Sequence, residues 1–234
     1  MIQGGSQQKP KNHVDFRSEF YFATPIWVAQ APMFLKSMNK LTNKYIKKAE
    51  KNLKENLKKE PKWKQAIGDF GLSKHSESFS NDPQAKEFVD FCGARSFEFL
   101  DWQGFDLRNH SLHFTEFWVQ EFSRKGGGHH DTHVHWNQHV SGFYFLKCSE
   151  KTSVPVIHYP RMGARMTKLP QKDASKITLA SEQIHFKIQP GTMIIIPGYT
   201  PHQYIVDAGL EDFRFIHWNI KAVETSISKE KSIK

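Results

Sequence analysis

The sequence lacks the features that define several large classes of protein. Its 234 residues include only two cysteines, Cys92 and Cys148, too few for a disulfide framework; this usage fits a reducing cytoplasm. No segment resembles a signal peptide or a membrane-spanning helix, and the longest unbroken apolar run is the short stretch from Met193 to Pro197. We therefore expect a cytoplasmic protein without a membrane span.

The composition is that of a folded, basic protein. A hydrophobic fraction of 38% with 13% aromatic residues suffices for a core and excludes a disordered chain, a collagen and a coiled coil. The net charge is +9, and eleven lysines against three glutamates lie between Lys36 and Lys64. This stretch has no arginine and no interleaved surface aromatics, so a solvated helix face is favoured over nucleic-acid binding.

The chain length predicts one domain, which we place at residues 16–222. Residues 1–15 and 223–234 are polar, and we expect a flexible N-terminus and a flexible C-terminal tail. Between the later strands, residues 161–176 are polar and carry two arginines. A loop of that length is often functional, and we interpret it as a lid or a substrate-contacting loop.

Two helices are expected before a series of strands. Apolar residues at helical spacing predict a helix at about 33–58, and Asp82 followed by proline predicts the start of a second at about 83–101. Residues 111–222 contain many short apolar and aromatic runs, among them ITL at residues 177–179, separated by glycine, proline and polar turns, and each run predicts a strand. The fold class is therefore α+β, with the strands in a jelly roll or barrel and the N-terminal helices packed on one face.

Histidines mark the most informative segment. Seven of the 13 histidines fall within residues 110–139, and such clustering is a reason to look for a metal site. His133 and His135 lie at the start of a predicted strand, where alternation sends both imidazoles to one face. His202, which follows a buried apolar strand and a Pro-Gly turn, is the third candidate ligand.

Two further features accompany these histidines. A glycine six residues before His133, and the spacing of Gly191, Pro197 and His202, match most of the two cupin motifs, although the expected glutamate is missing. Arg214 lies on the next predicted strand, where a buried guanidinium needs a carboxylate partner. A bidentate acid ligand or a structural salt bridge to a protein carboxylate would each supply one.

The stretch from Phe117 to Arg161 resembles the 2-oxoglutarate- and Fe(II)-dependent oxygenases found in marine bacteria and phages. The matching motifs are a Trp-x-Asn strand, a Gly-x-x-His turn, His-x-x-His-x-His, Ser-Gly-Val-Tyr-Tyr-Leu and an acidic-Pro-Arg segment. Here they are WVQ from Trp118, GGHH and HDTHVH around His130, SGFYFL from Ser141 and HYPR ending at Arg161. Weaker similarity extends to about residues 19–222, through His202, Arg214 and Asn219.

The resemblance implies a double-stranded β-helix that uses Fe(II), 2-oxoglutarate and O2. In it His133 and His202 hold iron, and Arg214, with Tyr144 as a further candidate, binds the distal carboxylate of 2-oxoglutarate. His135 stands where the superfamily normally has an Asp or Glu, which would make the metal set His133, His135 and His202. The residues kept as alternative ligands or outer contacts are Asp131, His130 and Asn219, and no catalytic residue is expected beyond the metal centre.

The leading hypothesis is therefore a 2-oxoglutarate-dependent hydroxylase that releases succinate and CO2, with 2-oxoglutarate and an unidentified substrate as its partners. One alternative is a cupin-type three-histidine metalloprotein that binds no 2-oxoglutarate. The other is a non-catalytic module whose basic helix docks on an acidic partner. The sequence predicts neither the substrate nor the oligomeric state.

Overall fold

A computed structural model describes residues 17–19, 22–60, 73–161 and 169–225 of the chain. These described residues contain two α-helices, α1 (Leu35–Lys59) and α2 (Lys86–Trp102), each preceded by one 3-10 turn that begins with a proline. Asp82 caps the second turn, because its carboxylate accepts a hydrogen bond from the backbone N–H of Gln84 at 2.9 Å. Both predicted helices are confirmed to within a few residues at each end.

Ten strands are described. They are β1 (Trp27–Gln30), β2 (Lys74–His75), β3 (His110–Glu121), β4 (His130–His133), β5 (Val140–Lys147), β6 (Pro155–His158), β7 (Gln183–His185), β8 (Thr192–Pro197), β9 (His202–Tyr204) and β10 (Arg214–Glu224). They form a six-stranded sheet in the order β1-β8-β5-β10-β3-β2 and a four-stranded sheet in the order β4-β9-β6-β7. All pairings are antiparallel.

This order is the topology of a double-stranded β-helix. Two facing sheets alternate along the chain, and helices α1 and α2 pack on the outer face of the larger sheet. The predicted fold class, α+β with a jelly roll and N-terminal helices on one face, is confirmed.

The larger sheet is buried on both faces, so alternate side chains enter two different cores. On β10, Ile216 and Trp218 face the helices, whereas Phe215 and the preceding Phe213, just before the strand, face the smaller sheet. At Gly142 of β5 the indole of Trp218 lies across the backbone, and an added Cβ would come within 2.0 Å of it. The core between the larger sheet and the helices therefore requires glycine at position 142.

Three predictions differ from the structure in detail. The predicted strand at residues 177–179 lies in an irregular segment that ends in a turn, and β2 (Lys74–His75) was not predicted. Strand β4 ends at His133, so His135 lies in the following loop. The predicted flexible N-terminus, most of the predicted tail and residues 162–168 of the interpreted lid lie outside the described residues. No described helix is both long and apolar enough to span a bilayer.

Candidate metal centre

Three histidines meet at one end of the smaller sheet. His133 is the last residue of β4, His202 is the first of β9, and their Cα atoms are cross-strand partners. Their ring centroids are 4.4 Å apart, and the ring of His135 lies 5.1 Å from each of them. One nitrogen from each ring lies within 4.8 Å of the others, so the three could hold a metal ion. The predicted histidines are thus brought together.

The loop after β4 is held in place by the turn between β8 and β9. The N–H of His135 donates to the carbonyl of Gly198 at 3.0 Å, and the N–H of Gly198 donates to the carbonyl of His139 at 3.2 Å. A Cβ at Gly198 would lie 2.4 Å from the carbonyl oxygen of Gln138. Glycine is therefore needed where the two chain segments approach, and this contact places His135 beside the other two histidines.

Two of the rings have a defined tautomer. The Nδ1 of His133 lies 2.7 Å from the carbonyl oxygen of Asp131, and the Nδ1 of His202 lies 2.9 Å from the carbonyl oxygen of Thr200. Because a carbonyl only accepts, each Nδ1 carries the proton and each Nε2 keeps its lone pair. This is the arrangement in which outer hydrogen bonds orient metal-binding imidazoles.

Asn219 and Glu116 surround the third ring. The side-chain amide nitrogen of Asn219 lies 2.8 Å from the Nδ1 of His135 and 3.0 Å from the Oε2 of Glu116. The hydroxyl of Ser141 donates to the amide oxygen of Asn219 at 2.6 Å. Asn219 therefore contacts the cluster from strand β10, as the resemblance implied for an outer residue.

Burial keeps the imidazoles of His135 and His202 neutral. Loss of solvent lowers the pKa of His135 to about 3 and lowers that of His202, and the other histidines lower both further. Neutral imidazole is the form that binds metal, so these two rings need to release no proton at neutral pH. His217 and the indole N–H of Trp118 lower the pKa of Glu116 to about 2, against the opposing effect of burial.

His217 and Glu116 are site residues that the sequence reasoning missed. His217 is 1% exposed and stacks on His135 with ring centroids 4.8 Å apart. Its Nε2 lies 3.6 Å from the Oε2 of Glu116, and neither of its nitrogens has a hydrogen-bond partner in the described part of the chain. With His135, these two residues form a second group of donors that could hold a metal ion. The sequence does contain a signal for His217, because it lies two residues from Asn219 on one predicted strand, and such residues face the same side of a sheet.

The two alternative ligands occupy different environments. His130 faces the space between the sheets, where its Nε2 lies 2.6 Å from the side-chain oxygen of Gln120, and burial lowers its pKa to about 4. Its ring centroid is 5.8 Å from that of His133. The Asp131 side chain is 97% exposed and lies 3.8 Å from His129. His130 therefore lies beside the cluster, whereas Asp131 points to solvent.

The structure does not bring Arg214 and Tyr144 to the cluster. Arg214 faces α1, and its guanidinium binds the Oε2 of Glu121 at 2.5 and 2.7 Å. The hydroxyl of Tyr144 donates to the carbonyl of Ala31 at 2.7 Å, also on the helix side of the larger sheet. The expectation that both point into the barrel needs this correction, because on β10 and β5 the alternate residues are the ones that face inward. The salt-bridge alternative for Arg214 is the arrangement observed.

Aromatic and aliphatic side chains from both sheets fill the space between them. Tyr204 stacks on Phe215 with ring centroids 4.5 Å apart, and Phe143 lies 5.1 Å from His202. The remaining members of this cluster are Phe122, Phe145, Phe213, Ile157, Ile194 and Ile196. These side chains form an apolar wall beside His202.

A cavity of about 510 Å³ is lined by two neighbours of His202, although none of the three clustered histidines lines it. It shares two lining residues with the surroundings of His202: Thr200, whose carbonyl accepts from that ring, and Ile157, its cross-strand partner. The buried hydroxyl of Thr200 has no hydrogen-bond partner among the residues described. Arg161 also lines the cavity and is the single arginine or lysine among its described lining residues. Its size is that of a small-molecule site.

Comparison with known structures supports the fold. The chain is similar to a prolyl-4-hydroxylase from Pseudomonas putida, with a TM-score of 0.50, 8% identity, and coverage of 85% of this chain and 93% of that one. It is also similar to AviO1 from Streptomyces viridochromogenes Tue57, with a TM-score of 0.51, 11% identity, and coverage of 85% and 90%. At such low identity these likenesses concern the double-stranded β-helix alone.

Residues 116–212 match the model of a protein family described as "Putative 2OG-Fe(II) oxygenase". This range contains all three clustered histidines and their strands. The family uses Fe(II), 2-oxoglutarate and O2. No curated protein matches the chain. The histidine cluster fits the iron of that family, because it offers neutral nitrogen donors whose outer hydrogen bonds are already formed.

Proposed function

We propose that this protein is a non-haem Fe(II)- and 2-oxoglutarate-dependent dioxygenase that hydroxylates a substrate and releases succinate and CO2. The observation that carries the proposal is the pair His133 and His202. The pair lies on neighbouring strands, and each Nδ1 is fixed by a backbone carbonyl. The match of residues 116–212 to the oxygenase family supports the same chemistry.

In this proposal the cluster of His133, His135 and His202 is the Fe(II) site. When bound, iron with 2-oxoglutarate and O2 supplies an oxidative decarboxylation that is coupled to hydroxylation of a C–H bond. The protein fixes the imidazoles through Asp131, Thr200 and Asn219. The aromatic wall excludes water from the metal side of the site, which strengthens electrostatic interactions there.

We propose Arg161 as the residue that binds a carboxylate of 2-oxoglutarate. Arg161 lines the cavity together with Thr200 and Ile157, two neighbours of His202, and its guanidinium also donates to the carbonyl of Phe22. Arg214 is paired with Glu121 on the other side of the larger sheet. A charge-assisted hydrogen bond contributes roughly 1.5–3 kcal/mol. Replacing Arg161 by alanine should therefore weaken 2-oxoglutarate binding by about 10- to 100-fold, with little effect on iron content.

The test is an anaerobic titration of the purified protein with Fe(II) and then 2-oxoglutarate. Chelated 2-oxoglutarate gives a visible metal-to-ligand charge-transfer band. We expect the band in the wild type, its loss in His202→Ala, and its retention in His113→Ala, a matched control at an exposed histidine. Iron binding without the band would contradict the cosubstrate assignment, and no metal binding in the wild type would contradict the proposal as a whole.

A three-histidine metalloprotein that binds no 2-oxoglutarate is the second candidate. It is favoured by the aromatic filling of the barrel interior and by the outward direction of Arg214 and Tyr144. It predicts iron, manganese, nickel or zinc retention that depends on His133 and His202 and is insensitive to Arg161→Ala. The same titration separates the two candidates.

Other parts of the proposal remain predictions. We propose cytoplasmic action, a single oxygenase domain over residues 16–222 and membership of the marine bacterial and phage oxygenase group. The basic helix α1 carries several ion pairs, including Lys44 with Asp82 and Lys48 with Glu77. These pairs support a solvated helix face as its role, in preference to a docking surface for nucleic acid or for another acidic partner.

A further inference from the structure

The three clustered histidines are not equivalent. His133 and His202 each donate from Nδ1 to a backbone carbonyl, which leaves Nε2 as a lone-pair donor for a metal. Among the described residues, no backbone carbonyl accepts a hydrogen bond from the Nδ1 of His135. Its Nδ1 instead faces the side-chain amide nitrogen of Asn219 at 2.8 Å.

The orientation of the Asn219 amide is fixed by its other contacts. The Oε2 of Glu116 lies 3.0 Å from the amide nitrogen, and an ionised carboxylate can only accept hydrogen bonds. The NH2 group must therefore point to Glu116, and the hydroxyl of Ser141 donates to the amide oxygen at 2.6 Å. The second amide hydrogen then points to the Nδ1 of His135, which must accept it.

An imidazole that accepts at Nδ1 and is neutral carries its proton at Nε2. The Nε2 of His135 is buried and has no hydrogen-bond partner within the described ranges. A buried N–H without an acceptor is costly, roughly 1–3 kcal/mol. The site therefore presents an N–H donor beside the two lone-pair nitrogens of His133 and His202.

We propose that Glu116 and Asn219 are positioning residues that hold His135 in the Nε2–H tautomer, so that His135 donates a hydrogen bond to an oxygen ligand on the metal and is not itself a metal ligand. This inference rests on the proposed function for the nature of that ligand, a carboxylate oxygen of 2-oxoglutarate. The tautomer itself does not depend on it. The inference thus narrows the metal set of the proposed function from three histidines to His133 and His202, and His135 instead binds the ligand that the metal holds.

The first test is histidine 15N NMR on the metal-free protein, which distinguishes a protonated Nδ1 from a protonated Nε2. We expect Nδ1–H for His133 and His202 and Nε2–H for His135. Addition of Zn(II) and then 2-oxoglutarate should shift the Nε2–H resonance of His135 without moving the proton to Nδ1. Observation of His135 as Nδ1–H would overturn the inference whatever the protein catalyses.

The second test reverses the direction of the hydrogen bonds at constant charge. In the double variant Glu116→Gln/Asn219→Asp, residue 219 accepts from the Nδ1 of His135, so the proton moves to Nδ1 and Nε2 is free to bind metal. We expect the double variant to bind Zn(II) about 10-fold more tightly than the wild type, and its NMR spectrum to show the tautomer change. An unchanged tautomer in the folded double variant would contradict the positioning role.

Alanine variants complete the test. In the wild-type background, His135→Ala should change the Zn(II) dissociation constant by less than about threefold, whereas His133→Ala and His202→Ala should raise it by about 100-fold or more. In the double variant, His135→Ala should raise the Zn(II) dissociation constant, because there the Nε2 of His135 is free to bind the metal. An equal loss of metal from His135→Ala and His202→Ala in the wild type would make His135 a ligand and refute the inference. Retention of metal by His202→Ala would instead refute the iron site of the proposed function.

Discussion

Removal of the Arg214 guanidinium should destabilise the fold and leave 2-oxoglutarate binding unchanged. Arg214 is 4% exposed, and it binds Glu121 at 2.5 and 2.7 Å. It also donates to the side-chain oxygen of Asn43 at 2.7 Å and to the hydroxyl of Thr42 at 3.3 Å, which ties β10 to α1. All of these contacts lie on the helix side of the larger sheet.

The magnitude follows from the charge that is left behind. Removing one member of a buried ion pair costs about 3–5 kcal/mol, because the other charge stays buried without compensation. In Arg214→Ala the carboxylate of Glu121 keeps Lys74 at 3.0 Å and Lys147 at 3.9 Å. These amines compensate in part, so we expect a loss near the lower limit, about 3 kcal/mol in the free energy of unfolding.

Equilibrium urea unfolding measures this loss, and 2-oxoglutarate titration of the folded variant measures the ligand effect. The matched control is Arg124→Ala, because the Arg124 side chain is 57% exposed and its pair with Asp212 is 3.5 Å long. That variant should stay within about 0.5 kcal/mol of the wild type. Equal stability of the two variants, together with a tenfold loss of 2-oxoglutarate affinity in Arg214→Ala alone, would refute the reasoning and return Arg214 to the site.

Three further predictions concern packing, pH and metal. Gly142→Ala should lower the free energy of unfolding by about 1–3 kcal/mol or more, because its Cβ would come within 2.0 Å of the Trp218 indole. The control is Gly93→Ala on helix α2, where an added Cβ would lie no closer than 3.6 Å to the Phe114 ring, so that variant should not lose stability. The bonds from Lys44 and the Tyr45 hydroxyl lower the pKa of Asp82 to about 2. Its stabilising effect is therefore fully present above the unfolded pKa near 3.9 and is lost as the pH falls through the folded pKa of about 2. Urea unfolding should therefore show a larger destabilisation by Asp82→Ala at pH 7 than at pH 2.5. Mn(II) at about 100 times its dissociation constant should stabilise the wild type by about 2.7 kcal/mol in thermal unfolding; no shift would contradict a metal site.

The sequence predicted the architecture because helix and strand patterns are local signals. The amphipathic period of α1 and the Asp-Pro start before α2 determine both helices, and the short apolar runs after residue 111 determine most of the strands. It failed at residues 177–179, where three apolar or β-branched residues have no partner strand among those described. Short runs carry too little pattern to distinguish a strand from an exposed loop, and Leu179 is 84% exposed.

The position of His135 shows how a correct grouping of residues can rest on a different geometry. Alternation along a strand predicts His133 and His135 on one face, but β4 ends at His133. The loop that follows brings His135 to the same place because its backbone bonds to Gly198 in a different turn. That contact joins segments more than 60 residues apart in the sequence, and no periodicity in either segment contains it.

Strand parity explains the error at Arg214 and would have corrected it. Asn219 and Arg214 were both expected at the site, yet they are five residues apart on one strand, and side chains an odd number apart face opposite sides of a regular sheet. Asn219 contacts His135, so Phe215 and His217 must face the smaller sheet and Arg214 must face the helices. The hydrophobic pattern of β10 does not show which side chains face the smaller sheet, because both faces of the strand are buried and both carry apolar residues. Once one residue of such a strand is assigned to a site, parity determines the rest, and it identifies His217 as the histidine that belongs beside His135.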